Sequence, residues 1–281
     1  VLPLRCLLFI DYRPGNAMPL SRSAWQVSCS VGIHGALMAV GVALSNLSAP
    51  VALAQSAPHW TYGGSNNPTR WGSLAEDYAL CQEGRDQSPI NLTQAQTETL
   101  VPLKFDYQTI PLEIVNNGHS IQVNYGPGSH ATLNGQSYNL LQFHFHTPSE
   151  HQINGEAAAM ELHLVHDNGK GDLAVVAVML NAGESSELIE SLWENIPPIG
   201  ETQKIPQVMV DITDLLPESS NYFNYVGSLT TPPCSEGVMW YVLTEPMEIS
   251  EEQIEMFQTL YTTNARPVQP TNGRSIGLRG R

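Results

Sequence analysis

The chain has 281 residues, with 12 Lys and Arg against 27 Asp and Glu, which gives a formal net charge of −15 at pH 7. A surface that binds the phosphates of nucleic acid or of anionic lipid needs an excess of positive charge. The composition therefore argues against nucleic acid and the membrane surface as partners, and the acidity is expected to serve solubility.

The first 54 residues have the order of regions that is typical of a secretory signal peptide. A polar stretch with Arg22 follows Met18, an apolar run covers residues 31–44, and a small-residue cleavage pattern ends at Ala54. The run is shorter than the roughly 18 to 20 residues that span a bilayer, although an uncleaved anchor is an alternative. We predict a leader over residues 1–54 with its start at Met18, export to the periplasm or the extracellular space, and no stable membrane insertion of the mature chain.

Residues 55–281, the predicted mature chain, hold 9 basic and 26 acidic residues. No linker rich in Ser, Gly or Pro and no internal repeat divides them, so one domain is expected. Two of the four cysteines, Cys81 and Cys234, lie in this range. An even pair in an exported chain usually forms one disulfide, and two unrelated buried thiols are the alternative.

Alternation of apolar and polar residues with period two predicts strands along most of the mature chain. In chain order the clearest segments are EIVNNG around Ile114, IQVNY from Ile121, SYNLLQFHFH ending at His146, AMELHLVH ending at His166 and VMWYVL from Val238. The run LAVVAVML at residues 173–180 is apolar on both faces, so it is expected at the centre of the sheet.

Few helices are predicted. The segment SSELIESLWENI repeats apolar residues at Leu188, Leu192 and Ile196, and SEEQIEMFQTLY opens with Ser250 and Gln253 as a capping box. The prediction is a predominantly β fold, with a large twisted, mostly antiparallel central sheet and short peripheral helices.

Two histidines alternate with two phenylalanines in the segment QFHFH. Successive side chains of a strand point to opposite faces, so His144 and His146 share a face, with Cα atoms roughly 6.5 to 7 Å apart. Gln142 lies on the same face, and the two phenylalanines point to the other, into a core. This arrangement holds two imidazoles over one point while aromatic burial anchors the strand.

A third ligand is expected from the segment MELHLVH, in which Glu161 and His163 share a face. Residues 147–156 can turn the chain back to make this segment an antiparallel partner of the first. Three neutral imidazoles with one open position are typical of a catalytic zinc, and Gln142 and Glu161 could accept their ring N–H groups. The spacing alone also fits a chance pairing or a metal site of the cupin-like type.

Seven segments, taken together, resemble the α-class carbonic anhydrases. They are HWTYGG, CQEGRDQSPINL, NNGHSIQV, QFHFHTPSEH, MELHLVH, YVGSLTTPPCSEG and NARPVQP, and the resemblance covers about residues 58–275. It implies the fold of that family and one catalytic domain over residues 55–281. It also implies zinc-dependent reversible hydration of carbon dioxide to bicarbonate and a proton. The reaction would use zinc-bound hydroxide and a histidine proton shuttle. The short connection between His146 and Glu150 resembles the corresponding connection in bacterial members of the family.

The resemblance also implies a role for each matching residue at the centre. The ligands of Zn²⁺ would be His144, His146 and His163, and the groups orienting them would be Gln142, Glu161 and the backbone carbonyl of Asn264. Thr230 would accept a hydrogen bond from the zinc-bound hydroxide and donate one to Glu150, while Thr231 would line the bicarbonate side. Small anions and sulfonamide-type inhibitors would bind at the zinc.

Two walls are implied around this centre. His119 would be the proton shuttle, and the polar wall beside it would consist of Tyr62, Asn116 and Asn117. The apolar wall that holds carbon dioxide would consist of Val165, Val175, Leu229 and Trp240. Of the other histidines, His151 and His166 are expected to hold structure, and His59 and His130 to be solvated.

Three other readings remain open. The chain could be a binding module of the same fold that lacks the metal, although the presence of all three histidines, Thr230 and Glu150 argues against this. It could hydrolyse esters as a zinc enzyme, or hold cobalt or iron at the same three histidines.

Overall fold

The structure is a computed structural model that describes residues 59–280. The predicted leader over residues 1–54 lies outside the described residues. The strands are β1 Asn91–Leu92, β2 Gln96–Thr97, β3 Lys104–Asp106, β4 Ile110–Asn116, β5 Ile121–Asn124, β6 His130–Leu133, β7 Gln136–His146, β8 Gln152–Ile153, β9 Glu156–Ala157, β10 Met160–Asp167, β11 Leu173–Ala182, β12 Thr202–Val210, β13 Tyr222–Ser228, β14 Glu236–Leu243, β15 Met247–Ile249 and β16 Gly277–Arg279. The α-helices are α1 Leu80–Glu83, α2 Glu187–Trp193 and α3 Glu251–Leu260, and short 3₁₀ helices cover Gly64–Asn66, Pro68–Ser73, Glu76–Tyr78 and Ile212–Leu215.

One large sheet organises the described residues. Its strand order is β12-β4-β5-β7-β10-β11-β14-β13-β16-β2, with β15 beside β11, β6 beside β7 and β3 beside β6. Most neighbours are antiparallel. The parallel pairs in this sheet are β11 with β14 and with β15, and β16 with β2. The predicted fold class is therefore confirmed.

Strand β11 lies in the middle of the large sheet, between β10 and β14. Its residues from Ala174 to Leu180 are all buried, which is what a run that is apolar on both faces requires. The predicted central position of this segment is confirmed.

The sheet separates two apolar cores. Strand β7 contributes Phe143 and Phe145 to the larger core, and both side chains are fully buried. A second core on the other face contains Trp240. Because side chains alternate along β7, His144 and His146 lie on the face opposite to the phenylalanines.

Helices α2 and α3 pack against the larger core, where the Trp193 ring contacts Phe145 with centroids 5.0 Å apart. Ser186 caps the start of α2, and Ser250 and Gln253 form the predicted capping box of α3. Both predicted helices are confirmed. Between residues 59 and 280, no helix combines the length and the hydropathy of a membrane span.

Cys81 in α1 and Cys234 form a disulfide with Cα atoms 5.0 Å apart, which confirms the predicted bridge. Both cysteines pack with Trp71 and Tyr78 in a small third apolar cluster. Cys234 lies in the loop after β13 that also carries Thr230. The bridge thus ties this loop to the segment that precedes β1.

Candidate metal centre

Strands β7 and β10 bring three histidines to one point. In the antiparallel register His163 lies directly opposite His144, and His146 is two residues along β7 on the same face. The ring centroids are 5.0 Å apart for His144 and His146, 5.3 Å for His144 and His163, and 4.6 Å for His146 and His163. One nitrogen from each ring lies within 4.8 Å of the other two. This distance suits three ligands of one metal ion.

Each imidazole is held on its outer side by an oxygen acceptor. Gln142 Oε1 lies 2.8 Å from His144 Nδ1, the Asn264 carbonyl oxygen lies 2.7 Å from His146 Nδ1, and Glu161 Oε1 lies 2.9 Å from His163 Nε2. Such contacts place the ring proton on the outer nitrogen and fix the tautomer. The other nitrogen of each ring therefore keeps its lone pair, which is available to a metal ion between the three rings.

Burial favours the neutral form of His144 and His146. Burial and the neighbouring histidines His146 and His163 hold the pKa of His144 well below its usual value. Burial also lowers the pKa of His146, although the charge of Glu150 acts in the opposite direction and raises it. Neutral imidazole is the form that binds a metal ion. The ionisation of the site therefore favours coordination near neutral pH.

An unsatisfied buried nitrogen is the sharpest feature of the centre. Nε2 of His146 is buried and has no hydrogen-bond partner, which by itself costs about 1 to 3 kcal/mol. Three imidazoles and no thiolate form a donor set that suits Zn²⁺. A cation bound between the three rings would satisfy this nitrogen, so the residues fit the metal that the sequence predicted.

Glu161 connects His163 to a buried chain of hydrogen bonds. Its Oε1 also lies 2.7 Å from His151 Nδ1, and its Oε2 accepts the His151 backbone N–H at 2.8 Å. His151 Nε2 lies 2.6 Å from the hydroxyl of Tyr225, which lies 2.8 Å from Ser88 Oγ. Burial alone would raise the pKa of the Glu161 carboxyl, but the charges and hydrogen bonds of His151 and His163 outweigh it and hold that pKa well below its usual range. The carboxylate is therefore ionised and fixed in place.

Glu150 lies beside the three histidines but does not bond Thr230. Its Oε1 accepts the backbone N–H of Arg266 at 2.8 Å, and its Oε2 lies 3.6 Å from His146 Nε2 and 3.9 Å from His163 Nδ1 without a hydrogen-bond partner. The expected donation from Thr230 to Glu150 is absent here, because one oxygen is held by the backbone of residue 266 and the other is directed at the imidazoles. Among residues 59–280, no hydrogen bond involves the Thr230 side chain, although the residue is only 6% exposed.

The predicted apolar wall is assembled next to the histidines. Val175 and Trp240 are buried in the second core, and Val165 and Leu229 pack against it. The Trp240 ring lies 4.9 Å from the His163 ring, measured between centroids. Thr231 follows in the same loop as Leu229, where its backbone carbonyl accepts the N–H of Cys234 at 2.8 Å. An apolar cluster therefore lies directly beside the three histidines.

His119 lies half-buried in the turn between β4 and β5. Its ring stacks on Trp60, with centroids 3.7 Å apart and planes 10° apart, and His59 lies 6.0 Å away. Partial burial, and then His59, lower the pKa of His119. Tyr62 contacts the other side of Trp60, at 5.5 Å between centroids. Burial and the charge of Glu150 raise the pKa of Tyr62 well above its usual value, which keeps its hydroxyl protonated.

Comparison with known proteins decides the family. A family model of the eukaryotic-type carbonic anhydrases matches residues 66–279. The chain belongs to the α-class carbonic anhydrase family. A carbonic anhydrase of Pectobacterium carotovorum is 43% identical over 226 residues, which are 80% of this chain and 93% of that protein. The solved α-carbonic anhydrase of Thermovibrio ammonificans, in complex with the inhibitor sulfanilamide, matches with a TM-score of 0.76 at 40% identity, over 79% of this chain and 100% of its own.

A second relative, a carbonic anhydrase of the cyanobacterium Nostoc sp., is 43% identical over 224 residues, which are 78% of this chain and 85% of that protein. The predicted family is thus confirmed, and with it the carbonic anhydrase activity that the family carries.

Asn116, which was predicted for the polar wall beside His119, lies inside this carbonic anhydrase. Asn116 is only 2% exposed, and its amide is engaged inside the protein, where it donates to the Pro197 carbonyl at 3.0 Å and accepts from Tyr261. It therefore cannot order solvent next to His119. Asn117 is exposed, and its Oδ1 accepts the backbone N–H groups of His119 at 2.9 Å and Ser120 at 2.8 Å.

The sequence did not predict which side chains hold the site residues in position. His151 is expected to hold structure, and it lies between Glu161 and Tyr225 in a chain of hydrogen bonds. The spacing in the sequence does not indicate this contact, because 74 residues separate His151 from Tyr225. Tyr261 and the side chain of Asn264 were missed for the same reason. Only the folded chain brings them together.

Proposed function

We propose that this chain hydrates carbon dioxide reversibly as a zinc enzyme in which His144, His146 and His163 hold the metal. The observation that carries the proposal is the convergence of three imidazoles, each held on its outer nitrogen, around the buried and unsatisfied Nε2 of His146. Bound Zn²⁺ supplies a hydroxide nucleophile near neutral pH by lowering the pKa of water to about 7, a value known from carbonic anhydrases themselves.

The residues around the ligands orient them and the reactants. Gln142, Glu161 and the Asn264 carbonyl fix the ring tautomers. Glu150 Oε2, a buried acceptor without a partner beside two ligands, is placed to accept a hydrogen bond at the reacting centre. The Thr230 hydroxyl, which bonds no other described side chain or backbone group, is available to a reacting oxygen. Together they would orient the nucleophile toward the apolar wall.

Carbon dioxide is apolar and would lie against the wall formed by Val165, Val175, Leu229 and Trp240. These apolar side chains would exclude water from the side where the carbon must be attacked. Thr231, at the edge of the same loop, would contact the bicarbonate that forms. The product carries a charge and leaves toward the polar side of the pocket.

Each hydration releases a proton that has to reach solvent. His119 is half-buried at the rim and has a lowered pKa, so its neutral ring can accept a proton and pass it to buffer. Tyr62 and the exposed Asn117 are the polar groups nearest to this path in our proposal. Asn116 is not part of it.

The compartment and the inhibitors follow from the same proposal. The disulfide between Cys81 and Cys234 supports an oxidising location outside the cytoplasm. The predicted leader over residues 1–54 would direct export to that location. Residues 55–281 would then form the single catalytic domain. The relative from Thermovibrio ammonificans was solved with sulfanilamide. We propose that sulfonamides and small anions bind at the zinc of this chain too.

Zinc analysis together with stopped-flow hydration of carbon dioxide tests the proposal. The purified chain is expected to contain stoichiometric zinc and to be active, and His163→Ala is expected to lose both while its circular dichroism keeps the β signal. The matched control is His130→Ala, at a site with 41% exposure on the surface, which should keep both. Full activity with stoichiometric zinc in His163→Ala would refute the proposed ligand set, and another metal in the active protein would refute zinc.

A further inference from the structure

We propose that Tyr261 and the side chain of Asn264 are positioning residues for proton export, because they fix the turn that carries His119. The inference rests on the proposed function, in which His119 passes protons to solvent. Both residues belong to the segment that directly follows α3, and neither side chain contacts the ring of His119. They act on the backbone and side chains of its turn.

The turn of residues 116–120 joins β4 to β5. Within it, Asn117 Oδ1 accepts two backbone N–H groups, and Gly118 has a positive φ of 83° that permits the tight reversal. These local contacts define the shape of the turn. The Ser120 side chain links the end of the turn to β7, because its Oγ donates to the Phe145 carbonyl at 2.6 Å and accepts the Phe145 N–H at 3.2 Å. Neither of these contacts holds His119 itself.

Asn264 connects His119 itself to the three histidines through two separate groups. Its backbone carbonyl holds the ligand His146, and its side-chain Nδ2 donates to the backbone carbonyl of His119 at 3.0 Å and to that of Phe145 at 2.8 Å. Its Oδ1 accepts the N–H of Thr147 at 2.7 Å, and the residue is fully buried. One residue therefore sets the position of a metal ligand and of the shuttle turn together.

Tyr261 holds the beginning of the same turn. Its hydroxyl donates to Oδ1 of Asn116 and lies 3.4 Å from the backbone carbonyl of Ser120. Asn116 is fixed in turn by the Pro197 carbonyl at 3.0 Å. The buried amide of Asn116, which the sequence assigned to the proton path, thus serves the turn from inside the protein.

Proton transfer is sensitive to the distance and orientation of the transferring group, so a turn that shifts would slow it without touching the metal. The competing interpretation is that Tyr261 and Asn264 only stabilise the fold. A purely structural role would lower the free energy of unfolding and leave proton export unchanged. The two interpretations differ in kcat at saturating carbon dioxide.

The first test compares Tyr261→Phe with Tyr222→Phe in the zinc-loaded full chain. Both variants lose one buried hydroxyl, since the Tyr222 hydroxyl donates to the Val101 carbonyl at 2.7 Å far from the turn. Tyr261→Phe is expected to lower kcat by at least about threefold with kcat/KM unchanged, and imidazole buffer should restore most of the loss. Tyr222→Phe should change neither parameter.

A second variant and a second readout make the test independent of activity. Asn264→Asp keeps the backbone carbonyl and an acceptor for Thr147 but loses the two donors, so it should retain zinc and lower kcat in the same way. By NMR, the ring resonances of His119 should lose the shift caused by stacking on Trp60 in both variants. If Asn264→Asp does not fold, Tyr261→Phe decides alone.

The outcomes separate this inference from the proposed function. Wild-type protein without zinc or without carbon dioxide hydration would refute the proposed function, and the NMR stacking signal would still test the positioning of His119. Active wild-type protein with equal kcat in Tyr261→Phe and Tyr222→Phe, or with unchanged His119 resonances, would overturn the positioning role. An equal fall in kcat and kcat/KM would also overturn it.

Discussion

Glu161 holds His151 and His163 with one carboxylate, at 2.7 Å from His151 Nδ1 and 2.9 Å from His163 Nε2, both measured to its Oε1. A carboxylate acceptor on the outer nitrogen of a ligand raises the basicity of the inner nitrogen and fixes the ring. The same oxygen atom therefore connects the metal centre to the buried hydroxyl of Tyr225 through His151.

Replacing this carboxylate should weaken metal binding. Glu161→Gln is expected to lower zinc affinity by roughly 10- to 100-fold, since the negative charge is lost and the amide nitrogen would face the His151 backbone N–H, which needs an acceptor. Competition with a zinc chelator measures the change. The control is Glu113→Gln, which removes a carboxylate paired with Lys204 away from the centre. Equal zinc affinity in both variants would contradict the role of Glu161.

Thr230→Ala should lower kcat/KM by roughly 100-fold, the scale of one lost preorganised hydrogen bond in an active site. Zinc content should stay the same, because Thr230 contacts none of the ring nitrogens that would bind it. Thr259→Ala on the surface of α3 is the matched control. Stopped-flow kinetics with metal analysis checks both, and a loss of zinc in Thr230→Ala would mean that the residue supports the metal instead.

His119→Ala separates proton export from carbon dioxide chemistry. Its kcat should fall by roughly tenfold or more, while kcat/KM should hardly change, because hydration up to product release does not use this ring. High concentrations of imidazole buffer should restore much of kcat. If kcat and kcat/KM fell together, or if buffer gave no rescue, protons would leave by another route.

The disulfide should contribute strongly to stability, since it joins residues 153 positions apart. In chain-entropy models a loop of this length is worth up to about 5 kcal/mol, less any strain in the native bridge. Cys81→Ser with Cys234→Ser should therefore lower the free energy of unfolding by an amount in this range, as measured by urea denaturation of oxidised protein. Two thiols that alkylate freely in the oxidised wild type would rule out the bridge.

His166 should make the fold sensitive to acid. Burial lowers its pKa to about 4, and its Nε2 lies 2.7 Å from the Tyr107 hydroxyl. The unfolded chain binds this proton near pH 6.5, so the contribution of His166 is fully present above pH 6.5 and is lost as the pH falls toward 4. The loss amounts to about 3 kcal/mol, from the linkage of about 1.4 kcal/mol per pH unit.

Urea denaturation between pH 7 and pH 4 tests this linkage. His166→Gln should have a flatter pH dependence of the free energy of unfolding than the wild type, whereas the control His130→Gln, at an exposed position, should follow the wild type. Parallel curves for His166→Gln and the wild type would show that other groups cause the acid sensitivity.

Much of the fold was predictable from local pattern. Period-two alternation identified β7, β10 and β14, and a run that is apolar on both faces identified the central β11. The same alternation put His144 and His146 on one face, because the side-chain period of a strand does not depend on its partners. The capping box of Ser250 and Gln253 was readable because all its contacts are local.

The tertiary structure decided what depends on contacts between distant parts of the chain. Alternation could not show that the amide of Asn116 is used by Tyr261, that Glu150 bonds the backbone of Arg266 and not Thr230, or that His151 joins Glu161 to Tyr225. These bonds link residues whose separation ranges from 10 to 145 positions. Sequence alone determines which side chains a strand presents on each face. The partner that satisfies a buried polar group is set by packing, because several candidate partners compete for it. Only the folded chain brings one of these candidates within hydrogen-bond distance.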